Sequence, residues 1–267
     1  LAGIGKSTAV LTGGRVTVED AKAYASFARE VLGTNDVDFR ARAVSNEETA
    51  FLANHVANKP MDVTYGDLEA AKSVLLVSFE PEDESPIVFL RLRKAALSGT
   101  TKVFAVAPYT SAGLAKMKGT LLAAGPREEV SVISSAASHL SGDSVILVGE
   151  RAAQTPGALT AVAELAAKTG AKLAWIPRRA GDRGALDAGL LPIGGRNTSE
   201  IVAATGSAIK GLVVGGVSPE DVDGALMSAI EKAQFVVSLE TRHTDITAEA
   251  DVVLPVAVVT EKSGTFR

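Results

Sequence analysis

The sequence predicts an α/β protein built around mostly parallel sheet. Short β-branched or apolar runs alternate with longer Ala-rich amphipathic stretches, the pattern of repeated β-α units. Several of the apolar runs end in a loop carrying Gly or Pro, as at Phe79-Glu80-Pro81 and Val214-Gly215-Gly216, where open α/β sheets place their ligand loops. With 46% apolar residues over a length of 267, the chain can bury a full core in one or two domains.

Along the chain, strands are expected at 7–11, 73–79, 102–107, 145–148, 172–176, 211–214, 235–239 and 252–253. Between them, 19–31 places Ala21, Tyr24, Ala25, Ala28 and Val31 at helical spacing, with Thr17 as a cap ahead of Glu19 and Asp20. Segments 47–56, 87–97, 112–122, 158–168 and 218–232 read as helices in the same way. The stretch 177–195 is rich in Gly, Arg, Asp and Pro with little periodicity, and is expected to be an inter-domain linker.

Composition excludes several classes. A net charge of −4 with no basic arm argues against nucleic acid as a partner, because that affinity comes from Lys and Arg neutralising phosphates. Zero cysteines removes disulfides, iron–sulfur ligation and zinc-thiolate sites from this segment. The longest apolar runs, 145–148 and 252–259, fall far short of the roughly 20 residues of a spanning helix, so no direct membrane insertion is expected. No charged segment followed by an apolar stretch opens the chain, which reads as the absence of a signal peptide, and both ends read as internal to a longer protein.

The residues that could carry chemistry each have a plainer role open to them. Gly3-Ile4-Gly5-Lys6-Ser7-Thr8 resembles part of a phosphate-binding loop but lacks the leading glycine and strand. His55, His139 and His243 lack metal-ligand spacing; His55 and His139 read as helix-end residues, while His243 sits in a dense polar loop after a predicted strand. Arg178, Arg179 and Arg183 could hold an anion, or form a solvated loop that pairs with Asp182 and Asp187 or with a neighbouring domain. Glu80, Glu82, Asp83 and Glu84 crowd around Pro81 with no nucleophile nearby, which favours an acidic helix start over acid–base work. Asn197-Thr198-Ser199 matches a glycosylation acceptor. No nucleophile elbow, complete Gly-rich dinucleotide fingerprint or metal-ligand series is present, so no catalytic, cofactor-binding or metal residue is assigned.

Four stretches together resemble the molybdopterin oxidoreductase family. They are Gly14-Arg15 through Gly33-Thr34-Asn35-Asp36-Val37-Asp38; Asp67 through Glu80-Pro81-Glu82-Asp83-Glu84-Ser85-Pro86-Ile87; Trp175 through Ala185; and Ala250-Asp251-Val252-Val253-Leu254-Pro255 with Glu261-Lys262-Ser263-Gly264-Thr265-Phe266. Within the family, the Glu-Pro-Glu-x-Glu-Ser-Pro-Ile form is similar to the branch that supplies the large iron–sulfur subunit of bacterial NADH:quinone oxidoreductase, respiratory complex I. The resemblance places Val44 where molybdenum-binding members carry a Cys, selenocysteine or Ser ligand, and Ser45 where they often carry His. Valine has no lone pair to offer. Glu240 falls near an acidic residue that contacts the nucleotide tail in cofactor-binding relatives.

The resemblance implies two Rossmann-like parallel-sheet domains, one inserted in the other: an outer domain from 1–40 plus 178–267 and an inserted domain from 41–177. It further implies a structural domain with no chemistry of its own and no cofactor in this segment, inside a parent whose 2Fe-2S and 4Fe-4S clusters lie in an N-terminal region outside these residues. Implied partners are the other peripheral-arm subunits of complex I, and the implied location is the cytoplasmic side of the bacterial membrane. Two rivals stand beside it. One is a piece of a true molybdenum or tungsten bis-pterin oxidoreductase of formate dehydrogenase type, since members without a side-chain ligand on the metal exist. The other is an anion- or nucleotide-binding module using Arg178–Arg183.

Overall fold

Where an apolar run is flanked by strands on both sides of a parallel sheet, both of its faces must be apolar. The runs Thr8–Thr12, Ser73–Val77, Ser144–Gly149 and Gly211–Gly215 meet that requirement and are buried at every position. In the computed structural model, which describes residues 2–42, 44–222 and 224–267, they form the centres of two five-stranded sheets.

In chain order the strands are β1 (Thr8–Thr12), β2 (Val37–Asp38), β3 (Ser73–Val77), β4 (Lys102–Ala107), β5 (Thr120–Ala123), β6 (Ser144–Gly149), β7 (Lys172–Ile176), β8 (Gly211–Gly215), β9 (Phe235–Glu240) and β10 (Val252–Pro255). The α-helices are α1 (Val18–Ser26), α2 (Asn46–His55), α3 (Tyr65–Ala70), α4 (Pro81–Glu84), α5 (Pro86–Leu97), α6 (Ala112–Lys116), α7 (Glu129–Ser135), α8 (Ala158–Thr169), α9 (Asp182–Asp187), α10 (Thr198–Ala204), α11 (Ala225–Lys232) and α12 (Asp245–Glu249). One sheet has the order β10-β9-β8-β1-β2 and the other β5-β4-β3-β6-β7, with every pairing parallel. Each order reverses direction once, between β1 and β8 in the first sheet and between β3 and β6 in the second. Those two reversals are where such folds bind ligands.

Residues 1–53 and 179–267 form one compact unit and 54–178 the other. In the first, Leu11, Ile201, Leu212, Val214, Leu226 and Ile230 pack on one face of the sheet. In the second, Leu68, Leu76, Phe89, Leu92, Leu114 and Leu147 do the same. The first division falls later than the expected 40/41, within α2, whose start is tied to the first unit by the ion pairs of Arg40 and Arg42 with Glu48.

Several sequence expectations are corrected. The helix expected over 112–122 stops at Lys116; Lys118 turns with φ of 51° and the chain enters β5. A Cβ on Gly119 would lie 2.2 Å from Leu114 Cδ1, so the turn needs glycine. The helix expected over 218–232 is split by Gly224, whose φ of 68° is left-handed, into a 3-10 turn at Pro219–Val222 and α11. The expected linker 177–195 contains the buried helix α9, seated close to the first helix because Gly184 has no Cβ to strike Val18. Periodicity misses it because small residues, not large apolar ones, make the contact.

Gly149 ends β6 at the second reversal, where a Cβ would lie 2.4 Å from the Ser78 carbonyl oxygen. Gly149→Ala is expected to cost about 1–3 kcal/mol, read as a lowered midpoint in chemical denaturation. Gly142→Ala, where a Cβ meets nothing within 4 Å, is expected to leave the midpoint unchanged.

Candidate functional site

The carboxyl ends of β1, β8 and β9 open onto a cleft of about 540 Å³ in the first unit. Its floor is made by Gly13, Gly215 and Gly216, and its walls by Val16, Phe27, Leu239 and Val256–Val259. Glycines at such a reversal can let backbone N–H groups reach an anionic ligand. Here those groups are turned to the chain itself. Gly13 N–H donates to Gly215 O at 2.9 Å and Gly216 N–H to Leu239 O at 3.1 Å. The space beside Gly14 is filled by the aliphatic part of Arg179, and Gly181 N–H donates to Gly14 O at 2.9 Å. Polar groups at the cleft are few and mostly paired. Lys262 bonds Asp20, and Glu240 accepts from the Thr241 N–H at 2.8 Å. Burial, with Asp20 and Glu240 nearby, pushes the Tyr24 hydroxyl up to about 12, so it stays protonated.

The segment after β10 runs back along this cleft and is fixed at the start of α1. Val18 N–H donates to Thr265 O at 2.9 Å, and the Thr265 N–H and hydroxyl donate to Glu19 at 2.9 and 2.8 Å. Gly264 lies so close to Thr17 that a Cβ would fall 2.4 Å from its Cγ2. The Gly264-Thr265 pair of the terminal motif is thus a latch on the first helix. Arg267 completes it by pairing with Asp187 at 2.9 Å.

Val44, at the position the resemblance gives to a metal ligand, is half-buried in the loop before α2 and is not among the residues lining the cleft. The Ser45 hydroxyl accepts the Glu48 N–H at 3.1 Å, a helix cap. Just ahead of them lies a buried ionic group that sequence reading missed. Arg40 donates to Asp38 at 2.9 and 2.8 Å, to Glu48 at 3.1 Å and to Thr49 at 2.9 Å, and Arg42 reaches Glu48 at 2.5 Å. Asp38 also accepts the Thr198 N–H at 3.0 Å, at the start of α10. The signal available in the sequence was the alternation Asp38-x-Arg40-x-Arg42 with Glu48 beyond it, charge where a parallel sheet end should be apolar or loop-like. Asn197 is buried as the cap of α10, so the glycosylation match is spent on structure.

In the second unit, the cluster around Pro81 is a helix start, with Glu80 accepting the Glu82 N–H at 3.2 Å. Two of its carboxylates are in ion pairs: Glu84 with Arg151 at 2.6 Å and Arg178 at 3.8 Å, and Glu82 with Lys116. Of the three loop arginines, Arg183 pairs with Asp187 at 3.1 Å, the plainer of the two roles open to it, and Arg179 lies along Gly14. His139 stacks on Phe104 with ring centres 4.5 Å apart, His55 ends α2, and His243 is exposed in the turn after β9. The Gly3–Thr8 segment is a 3-10 turn leading into a strand, the reverse of a phosphate-loop order.

The molybdopterin oxidoreductase family model matches residues 4–267. The chain belongs to the molybdopterin oxidoreductase family. Curated relatives are named as the G subunit of NADH-quinone oxidoreductase: those of Mycobacterium bovis and Mycobacterium tuberculosis are each 49% identical over 97% of this chain, and that of Streptomyces coelicolor is 44% identical over 97%. The chain spans 37–38% of the length of these relatives. The family name implies a molybdenum–pterin group. The residues present do not fit a protein-ligated metal: Val44 has no lone pair, the Ser45 hydroxyl caps a helix, and no three His, Cys, Asp or Glu among the described residues are grouped to hold a metal ion.

Arg40→Met leaves Asp38 buried without its cation and is expected to cost about 3–5 kcal/mol, measured by denaturant unfolding; a loss under about 1 kcal/mol would contradict the role given to the network. The Thr265 N–H, with other hydrogen bonds, holds Glu19 down to about 2 from 4.5. A depressed carboxylate stabilises above its unfolded pKa and loses that contribution as pH falls through the folded one. The hydrogen-exchange protection of Thr265 is therefore expected to be complete above pH 4.5 and to fall toward pH 2, and Glu19→Gln is expected to lower it at neutral pH.

Proposed function

We propose that the chain is the molybdopterin-oxidoreductase-like domain of the large iron–sulfur subunit, the G subunit, of an NADH:quinone oxidoreductase, kept as a structural scaffold with no chemistry of its own. The names of the relatives support the parent complex. The observation that supports the scaffold role is at the reversal between β1 and β8, where the Gly13 and Gly216 N–H groups bond the chain's own carbonyls. Electron-carrying 2Fe-2S and 4Fe-4S clusters would be held by a region of the parent outside these residues, which contain no cysteine. The partners would be other peripheral-arm subunits, on the cytoplasmic side of the membrane. No helix among the described residues is long and apolar enough to cross a membrane.

The rival, a molybdenum or tungsten enzyme, predicts bound pterin in the intact protein. Measuring metal and pterin in the full-length parent complex from its native host separates the two. Iron without stoichiometric molybdenum, tungsten or pterin is the expected result; stoichiometric metal with pterin would overturn the scaffold role.

A further inference from the structure

A surface helix normally buries one apolar stripe and shows water a polar face. Helix α5 buries Val88, Phe89, Leu92 and Ala95, yet its outer face carries Ile87, Leu90 and Leu97, which are 50%, 55% and 43% exposed. At spacings of three and seven residues these form one ridge, about 15 Å long from Ile87 to Leu97. Lys94 lies on the ridge between Leu90 and Leu97, with Arg91 and Arg93 on its flanks. Three cations on one helix face are notable in a chain of net charge −4.

Two of those cations are already positioned. Arg91 and Lys94 bond the two oxygens of Glu69 at 2.7 and 2.6 Å, and Arg91 lies 5.7 Å over the ring of Tyr65, itself 51% exposed. Side chains held before binding lose less entropy on binding, and Tyr and Arg are the types that dominate interface energies. The single Glu69 leaves the face with surplus positive charge.

Resting on the functional reading above, we propose that the outer face of α5 docks another protein subunit of the complex, one that presents an apolar groove edged with Asp or Glu carboxylates. Leu90 and Leu97 fill the groove, and Lys94 and Arg93 meet its rim, which sets the register more than the affinity.

The test uses the intact complex from its native host. A zero-length carbodiimide coupling is expected to join Lys94 to a carboxylate of a different subunit, and 87–97 should exchange backbone hydrogens more slowly in the complex than in the isolated full-length chain. Leu90→Glu combined with Leu97→Glu is expected to cut recovery of that subunit by roughly tenfold or more, while the thermal midpoint of the isolated full-length chain stays at its unaltered value. Coupling of Lys94 only to Glu69 with unchanged exchange, coupling to a second copy of this chain, or normal recovery with the double variant would each overturn the docking surface while leaving the functional reading intact. Failure of the chain to copurify with NADH-oxidising subunits would bring down both.

Discussion

A charged group taken out of water is tolerable only beside its opposite, and the buried set Asp38, Arg40, Arg42 and Glu48 is the constraint on which the first unit depends. Two cations and two carboxylates balance, and they come from three local elements: Asp38 ends β2, Arg40 and Arg42 lie in the loop after it, and Glu48 is on α2. The Asp38 carboxylate reaches further, taking the Thr198 N–H, while the Thr198 hydroxyl donates to Arg40 O at 2.9 Å. Beside it, Asp36 holds Arg196 at 2.7 Å. The sheet end, the departing loop and the returning α10 are therefore fixed by one polar cluster whose members cannot be removed singly.

This arrangement bears on function because it brackets Val44 and Ser45, which the resemblance sets against a metal ligand and its neighbour. Val44 and Ser45 follow directly from the network, one half-buried and apolar, the other capping α2. On the other side of the sheet reversal, glycine backbone and the latch of Gly264 and Thr265 give the chain's own donors to its own acceptors. The Gly13 and Gly216 N–H groups and the Gly264-Thr265 latch serve internal packing, which is what the proposed scaffold role asks of them.

The alternation of apolar runs with Ala-rich stretches made the α/β class and the central strands legible, because a strand such as Val74–Val77 buried on both faces leaves a continuous apolar run. Two short edge strands were not: β2 has two residues and β5 follows a turn at Gly119, so neither has a periodic signature. Helix α9 escaped because its packing rests on Gly181 and Gly184, which read as linker. The terminal Gly264-Thr265 motif was visible as a resemblance, but its role as a latch on Glu19 joins residues 246 positions apart, a distance no local pattern reports. The ionic network needed the same long-range information, since Thr198 lies 160 residues from Asp38.

If the domain is a scaffold, the cleft at the β1–β8 reversal has no part in electron transfer. Val258→Trp, placed at the cleft wall where Val258 is 39% exposed, fills much of that space in the intact complex. NADH:quinone electron transfer per assembled complex is expected to match that of the unaltered protein; a large loss of rate with assembly unchanged would show that the cleft holds something the reaction needs.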